Sequence, residues 1–194
     1  ATFTNDVHDF EMMKIRILNG GHQVVAVPGE VMSIETIEQC MQHALLGSLF
    51  QKVILNEVAP HVKAVTSITP ENYVSLVRKR FSNPKIIDTT RRVAYDGSSR
   101  QTGFLMPSIR DGLANGIPTD GLALIQASWA RMCEGTREDG TLIKPNDPFW
   151  DELQANAKAA RSNPSVWLEM SQIYGNLARE PQFASSFKTW LGII

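Results

Sequence analysis

The chain has 194 residues, 43% of them hydrophobic and 20% charged, with a net charge of -1. That length suits one domain with a sizeable core, and the charge balance excludes both a disordered chain and a basic nucleic-acid binder. The two cysteines, Cys40 and Cys133, form no CxxC and have no Cys/His pairing, so neither a zinc site nor a disulfide framework is indicated. Free thiols in a reducing cytoplasm are the simpler reading, and no apolar run is long enough to span a bilayer.

The chain opens at Ala1-Thr2-Phe3-Thr4-Asn5-Asp6-Val7, which reads as the end of a strand or linker and suggests a cut from something longer. From there the pattern is helical almost throughout. Helices are expected at about residues 9–27, 33–42, 44–58, 70–82, 84–95, 100–115, 121–134, 148–161, 164–177 and 181–191. Four starts carry a polar cap followed by proline: Thr69-Pro70, Asn83-Pro84, Asp147-Pro148 and Asn163-Pro164. In each, a side-chain oxygen can accept an orphan backbone N–H beside a ring already fixed at helical φ. Apolar stripes such as Val74, Val77 and Phe81, or Leu122, Ile125 and Trp129, recur at three- and four-residue spacing and need partner surfaces. Between Gly135 and Ile143, Asp139-Gly140 can turn between two very short strands, a surface excursion. The fold class is all-α, a compact multi-helix domain covering residues 1–194 with no internal repeat.

The most unusual segment is Lys14-Ile15-Arg16-Ile17-Leu18-Asn19-Gly20-Gly21-His22. On an α-helix Lys14, His22 and Asn19 fall at roughly 0°, 80° and 140°, so all three can look into one cleft, and Arg16 points elsewhere. Adjacent glycines inside a helix cost about 1 kcal/mol each relative to alanine, which implies something approaching that backbone closely. The three residue types suit metal-free oxidation of a secondary alcohol. A base takes the hydroxyl proton, an amide steadies the developing oxyanion, and an imidazole fixes a substrate hydroxyl. A lysine serves as that base only where burial or neighbouring cations bring its pKa from about 10.4 towards neutrality. Spacing alone leaves the trio open, since such residues are more often a solvated helix face.

The stretch Phe10-Glu11-Met12-Met13-Lys14-Ile15-Arg16-Ile17-Leu18-Asn19-Gly20-Gly21-His22 resembles the signature opening the C-terminal domain of mannitol-type members of the polyol-specific long-chain dehydrogenase family. Phe81-Ser82-Asn83-Pro84, Asp88-Thr89-Thr90-Arg91-Arg92, Asp96-Gly97-Ser98-Ser99-Arg100, Pro107-Ser108-Ile109-Arg110-Asp111 and Pro145-Asn146-Asp147-Pro148 resemble it in the same order. The resemblance implies an all-helical C-terminal substrate domain, in a fold related to the C-terminal part of 6-phosphogluconate dehydrogenases. It implies metal-independent, NAD- or NADP-dependent interconversion of a polyol such as D-mannitol with a ketose such as D-fructose. Lys14 is then the general acid/base, Asn19 part of the oxyanion hole and His22 a substrate-positioning residue. Arg92, and less directly Arg100, contact substrate hydroxyls. The partner is the family's N-terminal Rossmann domain, whose glycine-rich phosphate loop has no counterpart in these 194 residues; the chain alone is expected to be inactive. A hexuronate reductase, or a helical interaction module without chemistry, are the competing readings.

Away from that resemblance, Arg92 lies four residues after Asp88 and four before Asp96, the spacing of an exposed ion-pair ladder. Asp96-Gly97-Ser98-Ser99 reads as a helix stop and the next helix's cap. His8, His43 and His61 show no metal spacing, and Trp129, Trp150, Trp167 and Trp190 suit core packing.

Overall fold

A computed structural model describes residues 7–194. The reading of residues 1–6 as a strand end or linker lies outside the described residues. The first expected helix is one continuous rod in three parts: α1 (Val7–Met13), a π-helical turn (Lys14–Asn19) and α2 (Gly20–Val31). It runs past Pro28 instead of stopping at 27. Proline there forfeits one backbone hydrogen bond, but every residue of α2 except His22 is buried, and that burial outweighs the loss. A helix apolar on all sides belongs in the middle of a fold. Packed around α2 are α3 (Ile37–Gln42), α4 (Ala44–Val53), α6 (Thr90–Val93) and α9 (Asp120–Cys133).

Local chemistry fixes several ends. Thr36 begins α3 with a reciprocal capping box to Gln39, four residues later than expected, because Ser33 sits at φ 60 and cannot continue a helix. α4 continues into a π turn (Ile54–Val58) and a 3-10 turn (Ala59–His61). α5 (Pro70–Phe81) starts as its cap and proline require, Thr69 accepting from the Asn72 N–H at 3.3 Å. α7 (Gly97–Arg100), a third π turn (Gln101–Leu105) and α8 (Met106–Asn115) form one run, closed by Gly116 at φ 67.

Two expected helices are corrected. Residues 84–95 are helical only over α6. Asn83 makes a local turn, its Oδ1 accepting from the Lys85 N–H at 3.0 Å. The Asp88 carbonyl accepts from the Ile37 N–H at 2.9 Å, and the Thr90 N–H donates to the Glu35 carbonyl at 3.0 Å. These long-range backbone bonds hold 88–90 extended beside 35–37, and Ile87 is left 83% exposed, with no surface to pay for a helical stripe. Residues 164–177 break into α11 (Ser165–Leu168), α12 (Ser171–Tyr174) and the start of a 3-10 turn (Leu177–Arg179), because Met170 takes ψ 84 between the first two and Gly175 takes φ 59, ψ -116 after the second.

α10 (Trp150–Ala160) and α13 (Pro181–Ile193) complete the domain, α13 lying along α9. The 135–143 excursion turns at Gly140, φ 82, and pairs only at Thr136 and Leu142. It is clamped to the end of α2 by Arg137 Nη2 on Glu30 Oε1 at 2.7 Å and by the Glu138 N–H donating to the Val31 carbonyl at 2.9 Å. Trp129, Trp150 and Trp167 are buried, the first and third packed edge to face at 5.0 Å. Cys40 and Cys133 are buried free thiols, and burial pushes Cys40 up to about 12, which makes it a poor nucleophile.

Candidate functional site

Five-residue hydrogen bonding defines the turn that carries the unusual segment: the Gly20 N–H donates to the Ile15 carbonyl. Residues five apart in such a turn are about one turn apart, so Lys14 and Asn19 face more nearly the same way than the 140° of an α-helix gives. The glycines that follow have a packing cause. A Cβ on Gly21 would sit 2.8 Å from Phe50 Cε2, and one on Gly20 would sit 3.2 Å from Leu105 Cδ2. The close approach expected at this backbone is therefore made by the protein's own Phe50 and Leu105. Those glycines form no phosphate cradle, and no glycine-rich loop elsewhere in the chain supplies one.

Packing the Lys14–Asn19 turn against the Gln101–Leu105 turn leaves a cleft of about 350 Å³. Asn19, His22, Gln23, Asp96, Ser99, Arg100 and Phe104 line it. Three of the five residues singled out from the sequence thus converge: Asn19, His22 and Arg100. Lys14 is exposed and is not among the lining residues, so this chain does not itself supply the burial a lysine base needs. Arg92 stands outside the cleft with its side chain 69% exposed, paired to Asp88 at 2.6 Å, as the four-residue ladder predicts. No pairing of Arg92 with Asp96 occurs among the described residues. Arg16 does point away, onto Asp111 at 2.5 Å.

His22 is held by α5. Its ring stacks on Phe81 at 4.1 Å and 15°, and Phe81 in turn meets Phe50 at 5.6 Å. Burial lowers the His22 pKa to about 4; Asp88, whose carboxylate lies 3.8 Å from Nε2, opposes this, and Arg92, Arg80 and Arg100 add to it. Near neutral pH the imidazole is uncharged, with one nitrogen to donate and one to accept.

Gln23 was not marked by any sequence signal. Its Nε2 donates to the Val93 carbonyl at 2.9 Å, and Arg100 Nη1 donates to the same carbonyl at 2.8 Å. Behind it runs a buried polar chain: Gln101 Nε2 to Gln23 Oε1 at 3.0 Å, Gln126 Nε2 to Gln101 Oε1 at 2.8 Å, the Tyr174 hydroxyl to Gln126 Oε1 at 3.0 Å, and Trp167 Nε1 to the Tyr174 hydroxyl at 2.6 Å. Each buried polar atom in it has a partner, the condition under which such a chain rigidifies a core. It ties the floor of the cleft to the middle of the domain. Ser98, read as part of the cap at 96–99, receives its cap from far away: Asp147 Oδ2 accepts from the Ser98 N–H at 2.7 Å.

No group of three or more metal-binding side chains occurs among the described residues, and none of their helices is long and apolar enough to cross a membrane.

Residues 6–193 match the model of the mannitol dehydrogenase C-terminal domain. A mannitol 2-dehydrogenase of Cereibacter sphaeroides is 46% identical over 96% of the chain, and one of Aspergillus terreus is 30% identical over 95%. The chain spans 39% and 37% of the lengths of these relatives. Among solved structures, Pseudomonas fluorescens mannitol 2-dehydrogenase in ternary complex with NAD and D-mannitol superposes with a TM-score of 0.94 at 29% identity. That match covers 98% of this chain and 39% of the other. A substrate-free D-sorbitol dehydrogenase gives 0.88 at 26%, over 98% and 40%. With a match over nearly its whole length and the same helical architecture, the chain belongs to the mannitol dehydrogenase C-terminal domain family.

Proposed function

We propose that this chain is the substrate-binding and proton-transfer domain of an NAD(P)-dependent polyol dehydrogenase that interconverts D-mannitol, or a similar polyol, with its 2-ketose. The observation that carries the reading is the convergence of Asn19, His22 and Arg100 on one polar cleft, in a chain of this family. On this reading a secondary hydroxyl bound at the cleft gives its proton to the Lys14 amine, which lies on the same turn as Asn19 but outside the lining. The carbinol oxygen, as it gains negative charge, accepts from the Asn19 amide N–H. Neutral His22 and cationic Arg100 hold neighbouring hydroxyls, with Arg92 at the rim. An oxidised nicotinamide would supply the hydride acceptor, and we assign it to an N-terminal Rossmann domain, in the part of the relatives' length that this chain does not span. Metal independence is part of the proposal: lysine and amide supply the charge stabilisation. Covering by the partner domain is what gives the exposed Lys14 its desolvated setting. A cytoplasmic setting is part of the proposal, and the two buried free thiols accord with it.

The test uses the protein joined to a nucleotide-binding domain, as in the longer relatives. Lys14→Ala should lower turnover on D-mannitol by about 10²–10⁴, the range of a general base, and Asn19→Ala by about 10²–10³. Unchanged turnover in Lys14→Ala removes it as the base. Reduction of a keto-uronate with no mannitol oxidation replaces the substrate.

A further inference from the structure

Asp96 stands in the cleft lining with a left-handed backbone that aspartate tolerates, and its carboxylate has no ion pair among the described residues. Its backbone lies at φ 56, ψ 50, and its N–H donates to the Asn146 carbonyl at 2.7 Å. It occupies the N-cap position of α7, yet its side chain makes no capping hydrogen bond. That work is done by Asp147, on the Ser98 N–H and hydroxyl at 2.7 and 2.9 Å. Nor does the Asp96 carboxylate pair with Arg92 or Arg100 among the described residues: Arg92 is taken by Asp88, and an Arg100 Nη1 by the Val93 carbonyl. Asp96 is left as an acceptor-only group on a cleft otherwise lined by Asn19, His22, Gln23, Ser99, Arg100 and Phe104.

We propose that Asp96 is a specificity-determining residue of this site, its carboxylate accepting hydroxyl hydrogen bonds from an uncharged polyol and excluding a sugar that carries a carboxylate. This rests on the polyol reading above. The charge balance of the cleft supports it. Arg100 and Asp96 are the charged residues of the lining, and they balance, which suits a neutral ligand. Without Asp96 the lining keeps Arg100 as its one charged residue; of the charges near enough to act on His22, Asp88 is paired with Arg92 and Arg80 adds a further cation, so an anionic sugar gains the advantage.

The experiment uses the full-length protein and the substitutions Asp96→Asn and Asp96→Gly. Both keep the left-handed backbone accessible, so a folded variant with an unchanged thermal midpoint is the starting point. The KM for D-mannitol should rise about tenfold or more in both, as expected for losing a hydrogen bond to a charged group, with kcat within about threefold. Inhibition by D-gluconate, an anionic polyol, should tighten about tenfold in both. A merely structural Asp96 leaves the balance between mannitol and gluconate unmoved, and that result overturns the proposal. If the unsubstituted protein oxidises no polyol, the polyol reading fails and this inference with it. Mannitol oxidation with both ratios unchanged sinks the Asp96 role alone.

Discussion

Acidifying the folded chain should release His22 from its place against Phe81 at a measurable cost. In the unfolded chain a histidine titrates near 6.5; in the fold burial brings His22 to about 4. Between those values the unfolded state binds the extra proton, so stability is fully present above about pH 6.5 and falls as the pH drops towards 4. Linkage gives a loss of about 2 kcal/mol by pH 5 and about 3 kcal/mol by pH 4 from this one group. Other groups titrate over the same range: burial raises Glu57 and lowers His61, so the total pH curve is a composite. The comparison that isolates His22 is the difference between the wild type and His22→Gln, measured by urea unfolding at pH 7.5, 6, 5 and 4. Wild type should lose about 2–3 kcal/mol more than the variant across that range. The C–H signal of His22 in NMR should move with a midpoint near 4. A midpoint at 6 or above, or a flat difference between the two proteins, refutes the claim that the ring is held uncharged.

Two further predictions concern the frame of the cleft. Gly21→Ala should cost about 1–3 kcal/mol by overpacking, since its Cβ meets Phe50 at 2.8 Å, whereas Gly103→Ala, with nothing within 4 Å, should be neutral or stabilising. Equal effects of the two in thermal unfolding would show that α2 does not depend on that close approach. Tyr174→Phe should cost about 1–3 kcal/mol, because Trp167 Nε1 loses its acceptor inside the core; urea unfolding within about 0.5 kcal/mol of wild type would mean that the polar chain relaxes around the loss.

Elements governed by neighbours in the chain could be read from the residues directly. The Thr69 cap with Pro70, the Val74, Val77 and Phe81 stripe, the Asp88–Arg92 pair and the Asp139-Gly140 turn all stand as their local chemistry dictates. Resemblance to a family singled out Asn19, His22 and Arg100, which spacing alone left ambiguous, and the fold gathers these three on one cleft. It singled out Lys14 too, but that side chain is exposed in the fold and does not line the cleft.

What the residues did not disclose depends on partners far away in sequence. Asn83-Pro84 has the form of a helix start, yet residues 88–90 bond to 35–37, and the expected helix shrinks to one turn. Gly20-Gly21 implies a close approach to the backbone without saying by what, and Phe50 and Leu105 are what approach it. Gln23 carries no sequence signal, since its role comes from Val93 and Gln101, 70 and 78 residues away. Asp96 leaves the cap of its helix to Asp147, 49 residues from Ser98, and lines the cleft and a neighbouring hollow instead. Helical periodicity and caps act over three or four residues and are written locally. Burial, close packing and the satisfaction of buried polar groups are properties of surfaces brought together, and they exist only once the chain has folded.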